Sequence, residues 1–298
     1  MTIKYSTAAM FIVLFTGMLL FPLPAGYSKS SNHFYSNQQY LHYENGHLPR
    51  DLHLRSASAL VKDQQTGECL ILKDAETVLP IASITKLMTA MVILDVKMKL
   101  NESLTIDKSD IDRIRHSHSR LSVGTKLTRR EALLIALMAS DNRCAHALGR
   151  TYPGGVNACI KAMNSKARQL GLTETRFEDT TGLSSRNVSS AQDLALLMEA
   201  AYEYNLIREF STSRKATIYK GRRAMEFRNT NTLVRNPKWD IGLSKTGYID
   251  EAGRCLVMQA NVAERPVFIV LLDSQGKQTR IGDANRIKRW LEEQASVQ

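Results

Sequence analysis

Leu243-Ser-Lys-Thr-Gly247, Arg254-Cys-Leu-Val-Met-Gln-Ala-Asn-Val262 and Val267-Phe-Ile-Val-Leu-Leu272 lie close together near the C-terminus, separated by turns that carry Gly253 and Pro266. Their short apolar runs between turn residues read as strands. Far upstream, Ala57-Ser-Ala-Leu-Val-Lys-Asp63 and Glu68-Cys-Leu-Ile-Leu-Lys73 flank a Gln65-Thr-Gly turn and form a hairpin. The chain between, from Ser83 to about residue 206, is helical in pattern. Thr128-x-x-Glu131 is a capping box before an apolar run, a helix over 156–170 stops at Gly171, and Ser189-x-x-Gln192 caps a helix running to about Tyr204. Residues 284–293 close the chain as a helix. Hairpin, helices, strands, helix is not the alternation of a doubly wound parallel sheet. It predicts an α+β fold in which strands from both ends of the chain complete one antiparallel sheet, with a helical lobe inserted over about 83–206.

The chain has 298 residues, 43% hydrophobic and 23% charged, enough for one large domain or two ordinary ones and incompatible with disorder throughout. Lys4, the apolar run over 8–20 and Phe21-Pro-Leu-Pro-Ala-Gly26 have the three regions of a secretory signal, so residues 1–26 are expected to be removed on export, with cleavage near 25–28. The run is short for an uncleaved anchor, which needs about 20 apolar residues. Residues 27–55 are polar, without periodicity, and read as a lead-in to a domain over 56–298. His33, His42, His47 and His53 fall within the lead-in at irregular spacing with no cysteine between them, a poor pattern for metal.

Of the formal charge of +11, more than half lies between residues 208 and 240, where nine basic residues face three acidic ones. In an exported chain this points to an anionic cell-wall or membrane partner rather than nucleic acid, with a merely solvated face as the alternative. The four cysteines are too few for a disulfide framework; Cys144 and Cys159 can pair in an oxidising compartment or remain buried thiols.

Chemistry concentrates in three places. In Ser83-Ile-Thr-Lys86, residues three apart share a helix face, so the lysine can deprotonate the serine if burial lowers its pKa from about 10.4. An N-cap serine and a surface lysine give the same spacing. Ser140-Asp141-Asn142 directly follows the capped apolar helix, and Lys245-Thr246-Gly247 lies near a strand end, where glycine permits close approach. A helix terminus and a strand end account for either alone; the three in this order do not arise readily by accident.

Together they resemble the motif set of penicillin-binding proteins and serine β-lactamases. Met163-Asn-Ser-Lys-Ala-Arg-Gln-Leu-Gly-Leu-Thr-Glu-Thr-Arg-Phe-Glu-Asp-Thr-Thr-Gly-Leu183 is similar to the corresponding stretch of low-molecular-mass D-alanyl-D-alanine peptidases, and the resemblance spans about residues 56–294. It implies a β-lactamase/transpeptidase-like fold, with a five-stranded sheet and flanking helices. It also implies roles. Ser83 is the acylated nucleophile, Lys86 its base and Ser140 the proton relay to the leaving amine. Asn142 orients Lys86 and the substrate amide, Lys245 supplies positive charge, Thr246 and Gly247 bind the peptide, and the N–H groups of Ser83 and Tyr248 form an oxyanion hole. No metal or cofactor is implied.

Glu178 and Glu174 do not complete the Glu-x-x-x-Asn pattern of class A β-lactamases, because Gly182 and Glu178 stand four residues on. The end at Gln298, soon after the last strand, and the Ser244–Met258 stretch resemble soluble D-alanyl-D-alanine endopeptidases that cut wall cross-links. The resemblance thus implies a periplasmic enzyme acting on peptidoglycan stem peptides and cross-links, acylated by β-lactam antibiotics, with no nucleic-acid partner and at most peripheral membrane contact. A D-alanyl-D-alanine carboxypeptidase, a β-lactamase or an inert wall-binding module are the alternatives.

Overall fold

The computed structural model describes residues 48–49, 51–221 and 223–297. The expected signal segment, most of the lead-in, three of its histidines (His33, His42 and His47) and Arg222 of the basic segment lie outside these. In chain order the elements are β1 (Ser56–Asp63), β2 (Cys69–Lys73), β3 (Leu79–Pro80), α1 (Lys86–Asp95), β4 (Ser103–Thr105), β5 (Lys126–Thr128), α2 (Arg129–Met138), α3 (Asn142–Arg150), α4 (Gly155–Gln169), β6 (Val188–Ser189), α5 (Ala191–Tyr202), α6 (Asn205–Thr212), β7 (Lys215–Lys220), β8 (Arg223–Arg228), β9 (Asp240–Ile249), β10 (Gly253–Val262), β11 (Arg265–Ser274) and α7 (Thr279–Val297).

The main sheet has five antiparallel strands in the order β2-β1-β11-β10-β9, so the N-terminal hairpin docks on the last strand of the chain. Both faces are covered, which explains the unbroken apolar runs. Phe268, Val270 and Leu272 point into the core shared with α1 to α6, whereas Val267, Ile269 and Leu271 point into a second core closed by Ala284, Ile287 and Leu291 of α7. That helix begins five residues before the expected start. Asp283 in its second turn accepts the backbone N–H groups of Arg55 and Ser56, and so ties the entry of β1 to α7. Leu52 and Leu54 are buried in the second core, so the folded unit reaches back into the expected lead-in.

The capping box at Thr128 and Glu131 is present, and Gly171 with φ +74° follows α4. The cap of α5 is Ser190, not Ser189: Ser190 accepts the Asp193 N–H, while Ser189 is committed to β6 and meets Thr175 Oγ1 at 2.8 Å. Ser-x-x-Asp is an equally good cap, and strand pairing settles the one-residue shift. Helix continues to Thr212 in α6. Among the described residues no helix is long and apolar enough to cross a membrane.

Candidate active site

Helix α1 is apolar almost all round, and residues 86–93 are buried, as expected of a helix surrounded by others. Lys86 is its first residue. Ser83 precedes it in a 3₁₀ turn (Ala82–Thr85), entered through Ala82 at φ +47°, a left-handed conformation costly for alanine. This path sets Lys86 Nζ 2.8 Å from Ser83 Oγ. The same amine donates to Asn142 Oδ1 at 2.7 Å and to the Thr181 carbonyl at 2.5 Å. Burial brings the Lys86 pKa down from 10.5 to about 8, against the opposing pull of the Asp179 and Asp141 charges.

Asn142 is the first residue of α3, whose N-cap Asp141 accepts the Cys144 N–H. Ser140 links α2 to α3 at φ +59°, and Lys245 Nζ lies 2.8 Å from its Oγ. Lys245 comes from β9, the edge strand beside the site, on the face it shares with Leu243 and Ile249. Its amine also donates to the Thr246 carbonyl at 2.8 Å. Burial, then the charges of Lys86 and Arg280, hold Lys245 well below the usual lysine range. Thr246 Oγ1 meets Thr230 Oγ1 at 2.6 Å. A Cβ on Gly247 would lie 2.8 Å from the Ile81 carbonyl and 3.2 Å from Ser83 N, so β9 can approach the Ser83 turn this closely only with glycine there.

The expected residues thus assemble into a Ser83–Lys86–Asn142 set and a Ser140–Lys245 pair, with Thr246 and Gly247 alongside. The Tyr248 side chain joins neither. It is half exposed, its hydroxyl donates to Asp250 at 2.7 Å, and Arg254 covers its ring. Glu178 is paired at 2.8 Å with Arg186 on the loop, and Cys144 and Cys159 are separate buried thiols, the latter pushed up to about 12.

Residues 45–276 match the family described as D-alanyl-D-alanine carboxypeptidase. The chain belongs to this family. It is 49% identical over 247 residues to a D-alanyl-D-alanine endopeptidase of Pseudomonas aeruginosa, covering 82% of this chain and 80% of that protein. It is 44% identical over 241 residues to a D-alanyl-D-alanine endopeptidase of Escherichia coli, covering 80% and 78%. Among solved structures it is similar to a Streptomyces DD-transpeptidase, with a TM-score of 0.75 at 29% identity over 80% of this chain and 97% of that one. The α+β fold with its five-stranded antiparallel sheet is the fold expected from the sequence.

Several family-site neighbours carry no signal in the motifs. The Thr181 carbonyl is backbone, and it is aimed at Lys86 by Asp179, whose Oδ1 accepts the N–H groups of Thr181 at 2.5 Å and Gly182 at 2.7 Å. Ser117, on an irregular loop, accepts Asn142 Nδ2 at 2.7 Å. Arg280 reaches from α7 to the Gly247 and Cys255 carbonyls at 2.8 and 3.0 Å. Asp179 and Thr181 lie within the Met163–Leu183 stretch of the resemblance, which carries no role for either.

Proposed function

We propose that the chain is a serine DD-endopeptidase that opens D-alanyl cross-links of peptidoglycan through an acyl-enzyme, with residues 56–298, extended back to the buried Leu52 and Leu54, as its peptidase domain and the periplasm as its compartment. The observation that carries the chemistry is the surroundings of Lys86. A neutral amine has two N–H bonds and one lone pair. Asn142 Oδ1 and the Thr181 carbonyl accept both N–H bonds, which leaves the lone pair facing Ser83 Oγ. With a pKa of about 8, a useful fraction of Lys86 is neutral near pH 7, ready to take the serine proton.

Ser83 Oγ attacks the D-alanyl carbonyl carbon as its proton passes to Lys86. The N–H groups of Ser83 and Tyr248 hold the oxyanion, and the close packing of Gly247 on the Ser83 turn supports their convergence. Collapse breaks the C–N bond as the proton taken by Lys86 passes through Ser140 to the departing amine, which leaves Ser140 unchanged and Lys86 neutral again. Burial lowers the Lys245 pKa in the free enzyme, and an arriving carboxylate favours its charged form. Asn142 and Thr246 bind the peptide. Water then cleaves the Ser83 ester, with Lys86 again taking a proton. A β-lactam enters by the same acylation and leaves an ester that turns over poorly: the opened ring keeps the leaving amine tethered beside the ester, and Glu178, paired on the loop with Arg186, offers no second base to drive water past it.

The names of the Pseudomonas and Escherichia coli relatives favour endopeptidase. The family description favours carboxypeptidase as the second reading. Intact reactive groups argue against an inert wall-binding module. Purified cross-linked muropeptide dimers and free pentapeptide, digested in parallel with products weighed, decide between them: dimers should become monomers faster than pentapeptide loses D-alanine. Faster loss of D-alanine would replace the first reading by the second.

A further inference from the structure

Residues 111–121 form a loop of alternating orientation beside α3. Ile114, His116, His118 and Arg120 are exposed, while Arg115, Ser117 and Ser119 turn inward. Ser117 meets Asn142, and Ser119 Oγ donates to Asp141 Oδ2 at 2.6 Å. Asp112 braces the loop from within, accepting the N–H groups of Ile114, Arg115 and Ser117 at 2.8, 3.0 and 2.9 Å. Arg115 is therefore held on a fixed backbone. Its Nε donates to the Leu183 carbonyl at 2.6 Å, and its Nη2 pairs with Glu251 Oε2 at 2.8 Å.

Glu251 belongs to the 3₁₀ turn after β9 (Asp250–Ala252), so this ion pair joins the helical wall of the cleft to the sheet wall. In the proposed reaction Ser140 and Lys245 serve the leaving amine and the Tyr248 N–H marks the oxyanion. The chain from Tyr248 on to Glu251 then runs along the acyl side of the scissile bond. A guanidinium there is anchored by one nitrogen to a carbonyl. Its acidic partner is half exposed, with a 50% accessible side chain.

We infer that Arg115 is an acyl-side carboxylate subsite, occupied in the free enzyme by Glu251 and taken over by a free carboxylate on the stem peptide that becomes the acyl group. The inference rests on the proposed reaction for the direction of the cleft. Exchange of one carboxylate for another keeps the cation paired, and a solvent-facing pair is cheap to open. An amide in place of the substrate carboxylate cannot replace the charge and must leave Glu251 across the end of the cleft. The fixed guanidinium plane suits a carboxylate better than a lysine ammonium would.

Two substrate pairs test this on the full chain. The first is two penicillins differing only by a carboxylate on the acyl side chain, compared by second-order acylation rate. The second is two cross-linked dimers differing only by amidation of the acyl-donor stem carboxylate, compared by kcat/KM. In both, the charged member should be favoured about fivefold to tenfold, the scale of one charge-assisted hydrogen bond in partial solvent. Arg115→Gln should bring both ratios to about one, Arg115→Lys should keep part of each, and Glu251→Gln, which removes the competitor, should raise them. Glu251→Gln keeps the test decisive if Arg115→Gln does not fold, as judged by its thermal midpoint. Ratios near one in the wild type, or a fall in Glu251→Gln, would overturn the subsite. Failure to cut either dimer, with the penicillin ratio intact, would instead count against the endopeptidase reading.

Discussion

Lys86 is charged at a cost set by its burial, so its folded pKa of about 8 stands below the ordinary 10.5. Two outcomes follow at the residue scale. The neutral amine is the base, so the second-order rate of penicillin acylation should rise with pH to a plateau with an apparent pKa of about 8. Lys86→Ala should lose that limb and about 10²- to 10⁴-fold in rate; a wild-type profile flat from pH 6 to 10 would assign the base elsewhere. For stability, the unfolded chain binds the proton more tightly than the folded one between pH 8 and 10.5, so wild-type stability gains from this group as pH rises through that window. The thermal-midpoint advantage of Lys86→Met over wild type should shrink across the same interval. Ser117 supports the other side of the base: Ser117→Ala should slow acylation about tenfold by freeing the Asn142 amide, with recovery in Ser117→Thr and little change in thermal midpoint. Motif spacing makes Ser83, Lys86, Ser140, Asn142 and Lys245 legible because they are side chains in fixed local register. The Thr181 carbonyl and Ser117 are not legible, because any residue supplies a carbonyl and a loop serine has no periodicity.

Elements position these groups through close contacts that a sequence states only indirectly. Gly182 has φ +83°, and a Cβ there would sit 1.9 Å from the Ala82 carbonyl oxygen, inside the turn that presents Ser83. Gly182→Ala is expected to destabilise the fold by more than about 2 kcal/mol, through strain and overlap together. It should also abolish labelling by fluorescent penicillin; near-normal labelling with a normal melting curve would show that the turn tolerates displacement. Alternation across the sheet is more readily legible. Apolar residues on both parities of β10 and β11 announce a sheet buried on both faces, and the helix of residues 284–293 is the obvious cover for one of them. The full length of α7 is less so, since its first turns are polar and are fixed by Asp283 reaching the start of β1, 228 residues away from Arg55 in sequence. The one-residue slip at Ser190 has the same origin: two adjacent serines offer equivalent caps, and only the pairing of β3 with β6 chooses.

At the scale of the whole molecule, charge is placed unevenly, and the middle of the basic segment forms the hairpin of β7 and β8, which buries Ile218 and Phe227 against the core and turns Lys215 and Arg228 to solvent. Asn229 closes its base, with its N–H donating to the Arg214 carbonyl, and the next residue, Thr230, meets Thr246 of the site. Arg214, Lys215 and Arg228 on this hairpin are exposed, and Arg228 is paired with Glu226 at 2.8 Å, so Arg214 and Lys215 are the better probes of its field. A cross-linked stem carries more free carboxylates than a single stem, and a cationic surface beside the cleft raises its encounter rate. The Debye length falls from about 10 Å at 0.1 M salt to about 3 Å at 1 M, so this advantage should fade over that range while the buried chemistry at Ser83 is little affected. Dimer cleavage should therefore fall more steeply with salt than acylation by an uncharged-side-chain penicillin. The double variant Arg214→Glu, Lys215→Glu should flatten that dependence and slow dimer cleavage several-fold more than acylation. Equal losses in the two assays would locate the defect in the catalytic centre or the fold, and an unchanged salt slope would mean that the hairpin charge faces water and guides nothing.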